Sequence, residues 1–221
     1  MEKVYAVITG DIVASTAIER DYKQILHAIV EDIRREQEKG FVFEIFRGDS
    51  FQALVSDPTK AVLIAILIRA GLRRYARGNN LDDAWDARVA LGIGTVSNLD
   101  ISDQTKLGTS DGEAFLRSGR TLDGMKSERA LLKITTGDEQ LDSEFSSICP
   151  LVDVIISKWS TVQAEVVYLN LLKSEPTQTK IGEMLGKSQK AVSKSIDTSN
   201  IESMKPFFER YQQLIQWKYN S

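Results

Sequence analysis

Residues 3–16 read KVYAVITGDIVAST and set the start of the fold. Residues 3–9 are apolar and rich in β-branched side chains, and they end at Gly10, which predicts a strand. Asp11 follows that strand directly. A helix is predicted at 21–39, because apolar residues recur there at helical spacing before Gly40. The stretch therefore places a carboxylate at one edge of a sheet, in the loop between a strand and a helix.

The elements that follow are predicted as strands at 41–46 and 51–55, a helix at 61–76, a strand at 87–94, a helix at 113–126 and a strand at 130–136. The first six elements have the order β-α-β-β-α-β, which is the split βαβ pattern of a ferredoxin-like sheet. We therefore predict an α+β fold with a palm-like antiparallel sheet and helices on one face. In that topology the first two strands run parallel with the third between them, so Asp11 and Asp49 become neighbours.

Two aspartates at one sheet edge suit a hard divalent cation, Mg²⁺ or Mn²⁺, that also binds substrate phosphates. The predicted metal ligands are Asp11 and Asp49. The loop before the first helix offers backbone donors to phosphates, so the candidate nucleotide-binding or phosphate-binding residues are Ile12, Val13, Ala14, Ser15, Thr16 and Arg47. In the alternative interpretation Asp11 caps a turn, Asp49 is an ordinary hairpin residue, and Arg47 only pairs with Asp49.

The motifs around these aspartates resemble those of class III nucleotidyl cyclase catalytic domains. GDIVAST at 10–16 resembles their opening metal-aspartate segment, whose loop wraps the triphosphate. RGDSFQALV at 47–55 resembles their second metal-aspartate hairpin and the signature hairpin of GGDEF diguanylate cyclases. RVALGIGTV at 88–96 and GEAFLRSGR at 112–120 resemble the next strand and the glycine-led helix that ends in a transition-state arginine. The resemblance implies metal binding by the two aspartates and a catalytic role for Arg120.

Three positions depart from the cyclase pattern. Leu116 stands where those enzymes carry a ribose-orienting asparagine, Ile45 where they carry a base-reading lysine, and Thr109 where they carry a base-reading aspartate. The metal half of the site is kept and the base-reading half is lost, which argues against a conventional adenylate or guanylate cyclase. Nucleotide binding, a different nucleotide substrate and a degenerate sensor remain open, and so does the question whether the protein is an enzyme.

The C-terminal part differs from the rest in charge, with a net charge of +3 over residues 157–221 against −6 over residues 1–156. Residues 177–196 predict a short helix with Gly182 at its packing face, a turn at Gly186 and a second helix capped by Ser188. This pattern resembles the helix-turn-helix of sigma-region-four and LuxR-type regulators, which implies DNA binding. The candidate DNA-binding residues are Lys187, Ser188, Gln189, Lys190, Ser193 and Lys194. A helical bundle that packs on the first domain or on a partner is the alternative.

The combination of a cyclase-like half and a helix-turn-helix resembles the SatD family of bacterial proteins over nearly the whole chain. We predict a palm domain at 1–137, a connecting helix at 138–159 and an all-α helix-turn-helix domain at 160–221. The leading hypothesis is a homodimeric, DNA-binding transcriptional regulator that senses a nucleotide through a metal. The alternatives are an active nucleotidyl cyclase or nucleotidyltransferase that makes a cyclic or oligomeric nucleotide, and a dimerisation scaffold without nucleotide.

The composition narrows the chemistry further. The chain is 42% hydrophobic and 27% charged, which is typical of globular proteins, and no apolar run approaches the ~20 residues that a membrane span needs. With no signal-peptide pattern at the N-terminus, we expect a cytoplasmic protein without membrane contact. Cys149 is the only cysteine and His27 the only histidine, so any metal site has to consist largely of carboxylates.

Overall fold

The structure is a computed structural model that describes residues 2–15, 22–46, 48–75, 84–98, 107, 110–173 and 177–219. Its strands are β1 (Val4–Ile12), β2 (Val42–Phe46), β3 (Ser50–Val55), β4 (Ala87–Thr95) and β5 (Leu132–Thr135). Its α-helices are α1 (Tyr22–Glu36), α2 (Ala61–Arg73), α3 (Glu113–Met125), α4 (Glu139–Ser157), α5 (Thr161–Leu172), α6 (Gln178–Leu185), α7 (Gln189–Ser199) and α8 (Lys205–Tyr219). Within these ranges no helix is long and apolar enough to cross a membrane.

The strands form one sheet in the order β2-β3-β1-β4-β5. β1 pairs antiparallel with both β3 and β4, and β3 pairs antiparallel with β2. The prediction that the first two strands run parallel with the third between them is therefore confirmed. The prediction of a purely antiparallel sheet is wrong at one edge. There β5 pairs parallel with β4, because α3 forms a crossover that returns the chain in the same direction.

The helices cover both faces of the sheet, so the prediction of helices on one face is also wrong. Alternate residues of β1 point to opposite faces: Ala6 and Ile8 join the large core with α1 and α2, whereas Val7 packs with Ala114 of α3. Under α3, Ala90 of β4 contacts a second apolar cluster with Leu122 and Met125. The helix of the β4–α3–β5 crossover thus occupies the face that α1 and α2 leave open.

The C-terminal helices share one continuous hydrophobic core with α1 and α2. Tyr211 of α8 is fully buried, and its hydroxyl donates a 2.8 Å hydrogen bond to the carbonyl of Pro58. The Gln37 side-chain amide donates to the carbonyl of Leu172 at the end of α5, and the Tyr168 hydroxyl donates to Asp32 on α1. The helices after residue 160 are therefore docked on the sheet-bearing part by apolar packing and by specific polar contacts.

The turn between α6 and α7 has the local form that the sequence predicts. Gly186 ends α6 in the left-handed conformation at φ 63°, and the Ser188 side chain caps α7 by accepting the N–H of Ala191. Gly182 is buried, and a Cβ there would come within 2.5 Å of the Lys187 carbonyl oxygen. Two short helices consequently meet at close range through a turn that begins at Gly186.

A buried ion network joins α2 to the start of β4 and to α4. Arg69 has no solvent exposure, and its guanidinium contacts Asp86 at 2.9 Å and Asp153 at 2.5 Å. Arg73 contacts Asp86 at 3.1 Å. Asp153 also accepts the backbone N–H of Leu131, just before β5. The four charges balance one another inside the core, where each would be costly alone.

We predict that Arg69→Ala lowers the free energy of unfolding by about 3–5 kcal/mol, because it leaves buried carboxylates without their main cation. Urea denaturation followed by circular dichroism measures this change. Arg35→Ala is the matched control: the Arg35 side chain is 63% exposed in its contact with Asp32, so its removal should change the free energy of unfolding far less than Arg69→Ala does. Equal effects of the two substitutions would contradict a structural role for the network.

Candidate functional site

Asp11 and Asp49 meet at one edge of the sheet, as the topology predicted. In the β1–β3 ladder Asp11 lies opposite Ser50, the neighbour of Asp49. The N–H of Ile12 donates to the Asp49 carbonyl at 3.2 Å, which ties the end of β1 to the β2–β3 turn. Two strands and one hairpin thus position two acidic side chains that are far apart in sequence.

Arg88 is the immediate partner of Asp11. It lies opposite Asp11 in the β1–β4 ladder, and its Nε donates to Asp11 Oδ1 at 2.8 Å. Asp11 is 7% exposed, whereas the Arg88 side chain is 27% exposed. The buried carboxylate is therefore neutralised by a cation that still reaches solvent. Sequence analysis placed Arg88 in a cyclase-like strand without giving it a role; the signal that it missed is the cross-strand register.

Ser15 holds the second aspartate. Its hydroxyl donates to Asp49 Oδ2 at 2.5 Å, from a loop in which Ala14 adopts a left-handed φ of 52°. A non-glycine residue rarely takes this conformation, and it turns the loop back toward the hairpin. Ser15 thus positions Asp49, although sequence analysis expected it to bind phosphate.

The first two amides of the loop do not serve as phosphate donors in this conformation. The N–H of Ile12 bonds the Asp49 carbonyl, and the N–H of Val13 bonds the Asp86 carbonyl at 2.9 Å. The prediction that Ile12 and Val13 present backbone donors to a phosphate remains a prediction, and it requires both N–H groups to leave these partners. Thr16 and Arg47, which were also predicted, lie outside the described residues.

A polar patch extends from Asp11 across the sheet face that carries α3. Glu44 and Gln52 are opposite each other in the β2–β3 ladder, and Gln52 is opposite Thr9, which shares the face of Asp11. The side chains of Glu44 and Gln52 are partly buried. Phe46 lies opposite Ser50, which in turn lies opposite Asp11, so Phe46 belongs to the same cross-strand row as Asp11. Neither Glu44 nor Gln52 stands at a motif position of the cyclase base readers; the period of two along β2 and β3 is the sequence signal that points to them.

Of the three residues that depart from the cyclase pattern, the two that the structure describes take no part in this patch. Ile45 points to the opposite face, where it packs against the large core. Leu116 lies on α3 and is 52% exposed. Thr109 lies outside the described residues. The polar patch around Glu44 is therefore built from side chains other than those of the cyclase pattern.

Arg120 is exposed on the outer surface of α3. The residues of α3 that face the sheet are buried, namely Ala114, Ser118, Leu122 and Met125. Arg120 lies two positions from both Ser118 and Leu122, a rotation of about 200° around a helix, and so points away from the sheet. One chain by itself does not bring Arg120 to Asp11 and Asp49.

The donor set fits Mg²⁺ or Mn²⁺ that arrives with a phosphate-bearing ligand. Asp11 and Asp49 supply carboxylate oxygens, the donors that these ions prefer, and one or two carboxylates suffice when phosphates complete the shell. In the part of the chain that the structure describes, no cluster of three or more His, Cys, Asp or Glu side chains forms a cage for a metal ion.

The candidate DNA-binding residues divide into exposed and engaged side chains. Lys190 and Lys194 are exposed on α7, and Ser193 is half-buried. Lys187 Nζ lies 3.9 Å from Glu165 Oε2, and Gln189 Nε2 donates to Gln178 Oε1 at 2.7 Å. The Ser188 side chain is the cap of α7. The two exposed lysines thus form the cationic surface of this helix.

Neither the single cysteine nor the single histidine belongs to the site. Cys149 is buried on α4, and burial raises the pKa of its thiol to about 12, so it stays protonated and unreactive near neutral pH. His27 is exposed on α1, with its ring edge-on to Phe43 at 6.1 Å. The chemistry of the site rests on carboxylates and arginine.

We predict that Arg88→Gln destabilises the protein by about 1–3 kcal/mol, because Asp11 then keeps a buried charge without a cation. Millimolar Mn²⁺ should restore much of that loss by binding the freed carboxylate. Thermal unfolding with and without Mn²⁺ measures both effects. In the double variant Asp11→Asn/Arg88→Gln the charge is gone, so Mn²⁺ should change nothing; an equal Mn²⁺ response in both variants would disprove the pairing.

Three solved structures are similar to part of this chain. One is the catalytic core of a rhodopsin-guanylyl cyclase with converted specificity in complex with ATPαS, at 16% identity and a TM-score of 0.44, with 66% of this chain and 82% of that one covered. Another is the guanylate cyclase domain of RhGC from Catenaria anguillulae in complex with GTP, at 17% identity and a TM-score of 0.42, with the same coverage. The third is a non-canonical dimeric guanylyl cyclase domain of the RhoGC fusion protein from Blastocladiella emersonii, at 17% identity and a TM-score of 0.39, covering 60% of this chain and 79% of that one.

A search of curated protein sequences found no match. The family model of SatD, in contrast, matches residues 5–213, which is nearly the whole chain and includes both the Asp11–Asp49 edge and the C-terminal helices. The protein belongs to the SatD family.

Proposed function

We propose that the protein binds a nucleoside triphosphate together with Mg²⁺ or Mn²⁺ at the Asp11–Asp49 edge and converts it to a cyclic or oligomeric nucleotide. The observation that carries this proposal is that the backbone brings Asp11 of β1 beside the β2–β3 turn with Asp49, while a partly exposed arginine pairs with Asp11. A metal ion bound there would neutralise the phosphates and stabilise charge that develops during phosphoryl transfer.

Arg88 gives the site a cation of its own. While no ligand is bound, its guanidinium neutralises Asp11 at 2.8 Å. If Asp11 held a metal ion, the Arg88 guanidinium, which reaches solvent, would be free to pair with a phosphate. The same side chain thereby keeps the empty site stable and adds a positive charge for the triphosphate.

Glu44 and Gln52 are the proposed contacts for the base. Both lie on the face of Asp11, one cross-strand row away, which is about 7 Å along the strands. That separation suits a nucleotide whose phosphates lie at Asp11 and whose base lies over β2 and β3. The Glu44 carboxylate accepts the N–H of Leu107 at 2.7 Å, and the Gln52 amide donates to Thr9 at 3.2 Å. A base would therefore pair with their remaining donor and acceptor atoms, and Phe46 offers a ring for stacking.

Turnover requires a second copy of the chain in this proposal. In the reaction a ribose hydroxyl oxygen bonds to the α-phosphorus, the bond to pyrophosphate breaks, and the hydroxyl proton passes to solvent. The cyclase resemblance assigns Arg120 to stabilise this phosphoryl group. Because Arg120 is exposed on the outer surface of α3, a partner chain would have to supply it. Dimer formation and activity should therefore rise together with protein concentration.

We predict that nucleoside triphosphates raise the melting temperature only when Mg²⁺ or Mn²⁺ is present. A ligand at a hundred times its dissociation constant adds about 2.7 kcal/mol to the free energy of unfolding, a shift that thermal melts resolve. Asp11→Asn/Asp49→Asn should abolish the metal-dependent shift, since it removes the proposed metal ligands. Mass spectrometry of the incubated nucleotides then tests for product.

Asp123→Asn is the matched control for that experiment, because Asp123 is an exposed aspartate of α3 outside the site. It should bind nucleotide like the parent.

Glu44→Ala tests the base contacts: the preference of the parent among ATP, GTP, CTP and UTP should flatten while the metal dependence stays. A nucleotide-induced shift of the melting temperature that needs no metal in the parent would refute the proposed site. A metal-dependent shift that survives in Asp11→Asn/Asp49→Asn would also refute it. Nucleotide binding without product would assign the site to sensing.

DNA binding by α7 is the second candidate function. The supporting observation is the close α6–α7 turn at Gly182, with Lys190 and Lys194 exposed on the following helix. A short helix of this kind fits the DNA major groove, with lysines on phosphates and Gln189 and Ser193 toward base edges. The regulator hypothesis needs this contact together with the nucleotide site.

We predict that Lys190→Ala/Lys194→Ala weakens binding to a mixed-sequence DNA duplex and flattens its salt dependence by about one counterion for each lysine. Fluorescence anisotropy over a salt series measures both quantities. Lys158→Ala/Lys205→Ala removes two exposed lysines outside α7 and serves as the control. If the α7 variant bound DNA like its parent, with an unchanged salt slope, the assignment of α7 to DNA would be wrong.

A further inference from the structure

A continuous series of polar contacts leads from the loop after β1 into the core. It starts at the N–H of Val13, two residues after Asp11, which donates to the carbonyl of Asp86 at 2.9 Å. The carboxylate of the same Asp86 accepts Arg69 at 2.9 Å and Arg73 at 3.1 Å. Asp86 is only 4% exposed. One buried residue therefore holds the loop of the site with its main chain and two arginines of α2 with its side chain.

Arg73 continues the series to the C-terminal helices. Its second terminal nitrogen donates to the carbonyl of Ser157, the last residue of α4, at 2.8 Å and to the carbonyl of Trp159 at 3.2 Å. The indole N–H of Trp159 donates to the carbonyl of Ser199, the last residue of α7, at 2.8 Å. Trp159 and Ser199 are both buried. The site loop and the end of α7 are thus joined by successive hydrogen bonds through Asp86, Arg73 and Trp159, and two of these bonds end on the main-chain carbonyls of Asp86 and Trp159.

Two groups along this path are held in unfavourable states. Ala14, next to Val13, has a left-handed φ of 52° without being glycine. The Nε of Arg73 is buried and has no hydrogen-bond partner. Such features persist where the surrounding structure enforces them, and they are relieved when a neighbouring segment shifts. Ala14 lies beside Val13, which bonds the Asp86 carbonyl. Arg73 bonds the Asp86 carboxylate and the end of α4.

We propose that occupancy of the Asp11–Asp49 site changes the docking of α7 through Val13, Asp86, Arg73 and Trp159. This inference rests on the proposed nucleotide function, because the metal–nucleotide complex is what moves the loop. When the loop shifts, the Asp86 carbonyl follows Val13, the arginine contacts rearrange, and the Trp159 hydrogen bond to the end of α7 loosens or tightens. The helix affected is the one that exposes Lys190 and Lys194.

Hydrogen exchange measured by mass spectrometry tests the inference on the full chain. In the parent, Mg²⁺ with the triphosphate that gives the largest thermal shift should change amide exchange in residues 189–199 by about fivefold or more, the low end of allosteric coupling. Trp159→Phe keeps an aromatic ring but loses the N–H donor. It should retain the thermal shift and lose the exchange change in α7. Tyr168→Phe, which removes a buried hydroxyl donor outside the path, should retain both.

A second arm needs no nucleotide. Val13→Pro removes the N–H that bonds Asp86, whereas Val13→Ala keeps it. Altered α7 exchange in Val13→Pro but not in Val13→Ala supports the path, and equal exchange in the two variants overturns it. A thermal shift in the parent without any exchange change in α7 overturns the inference and leaves the nucleotide site intact. Absence of a metal-dependent shift overturns the nucleotide site and the inference with it.

Discussion

The ion pairs of Asp86 with Arg69 and Arg73 are the interaction on which the rest of the structure depends. Taking these charges out of water is costly, and the cost is offset only when each charge has its partners in good geometry. Asp86 meets that condition just before β4, where its carboxylate accepts hydrogen bonds from Arg69 and Arg73 of α2. Arg73 also donates to the carbonyl of Ser157 at the end of α4. The network therefore selects one arrangement of sheet and helices among the many that would bury the same apolar surface.

The site edge inherits its geometry from this arrangement. β4 begins directly after Asp86, and its register with β1 places Arg88 opposite Asp11, so the buried carboxylate has a cation beside it. The β2–β3 turn is brought to the same edge by the pairing of β1 with β3. The Asp11 carboxylate is thus held by the guanidinium of Arg88, and the Asp49 carboxylate by the hydroxyl of Ser15.

The C-terminal helices are part of the same packing. They bury apolar residues against α1 and α2, and they supply backbone carbonyls to Arg73 and Gln37. Helices of this arrangement can bind DNA, contact a partner or simply complete a core, and the polar contacts across the junction are compatible with each role. Arg73 links them to the carboxylate of Asp86, which it also contacts.

Local sequence alone determined the elements and their order, because strand and helix periods, glycine stops and helix caps act over a few residues. That is why the hairpin, the neighbouring aspartates, the Ser188 cap and the turn at Gly186 were all predictable. The partners of the site were decided only by tertiary structure: Arg88 for Asp11, Ser15 for Asp49, Asp86 for Val13, and the opposite sheet face for α3. These contacts depend on strand register and on the desolvation of charges inside one core, and both are properties of the folded chain as a whole.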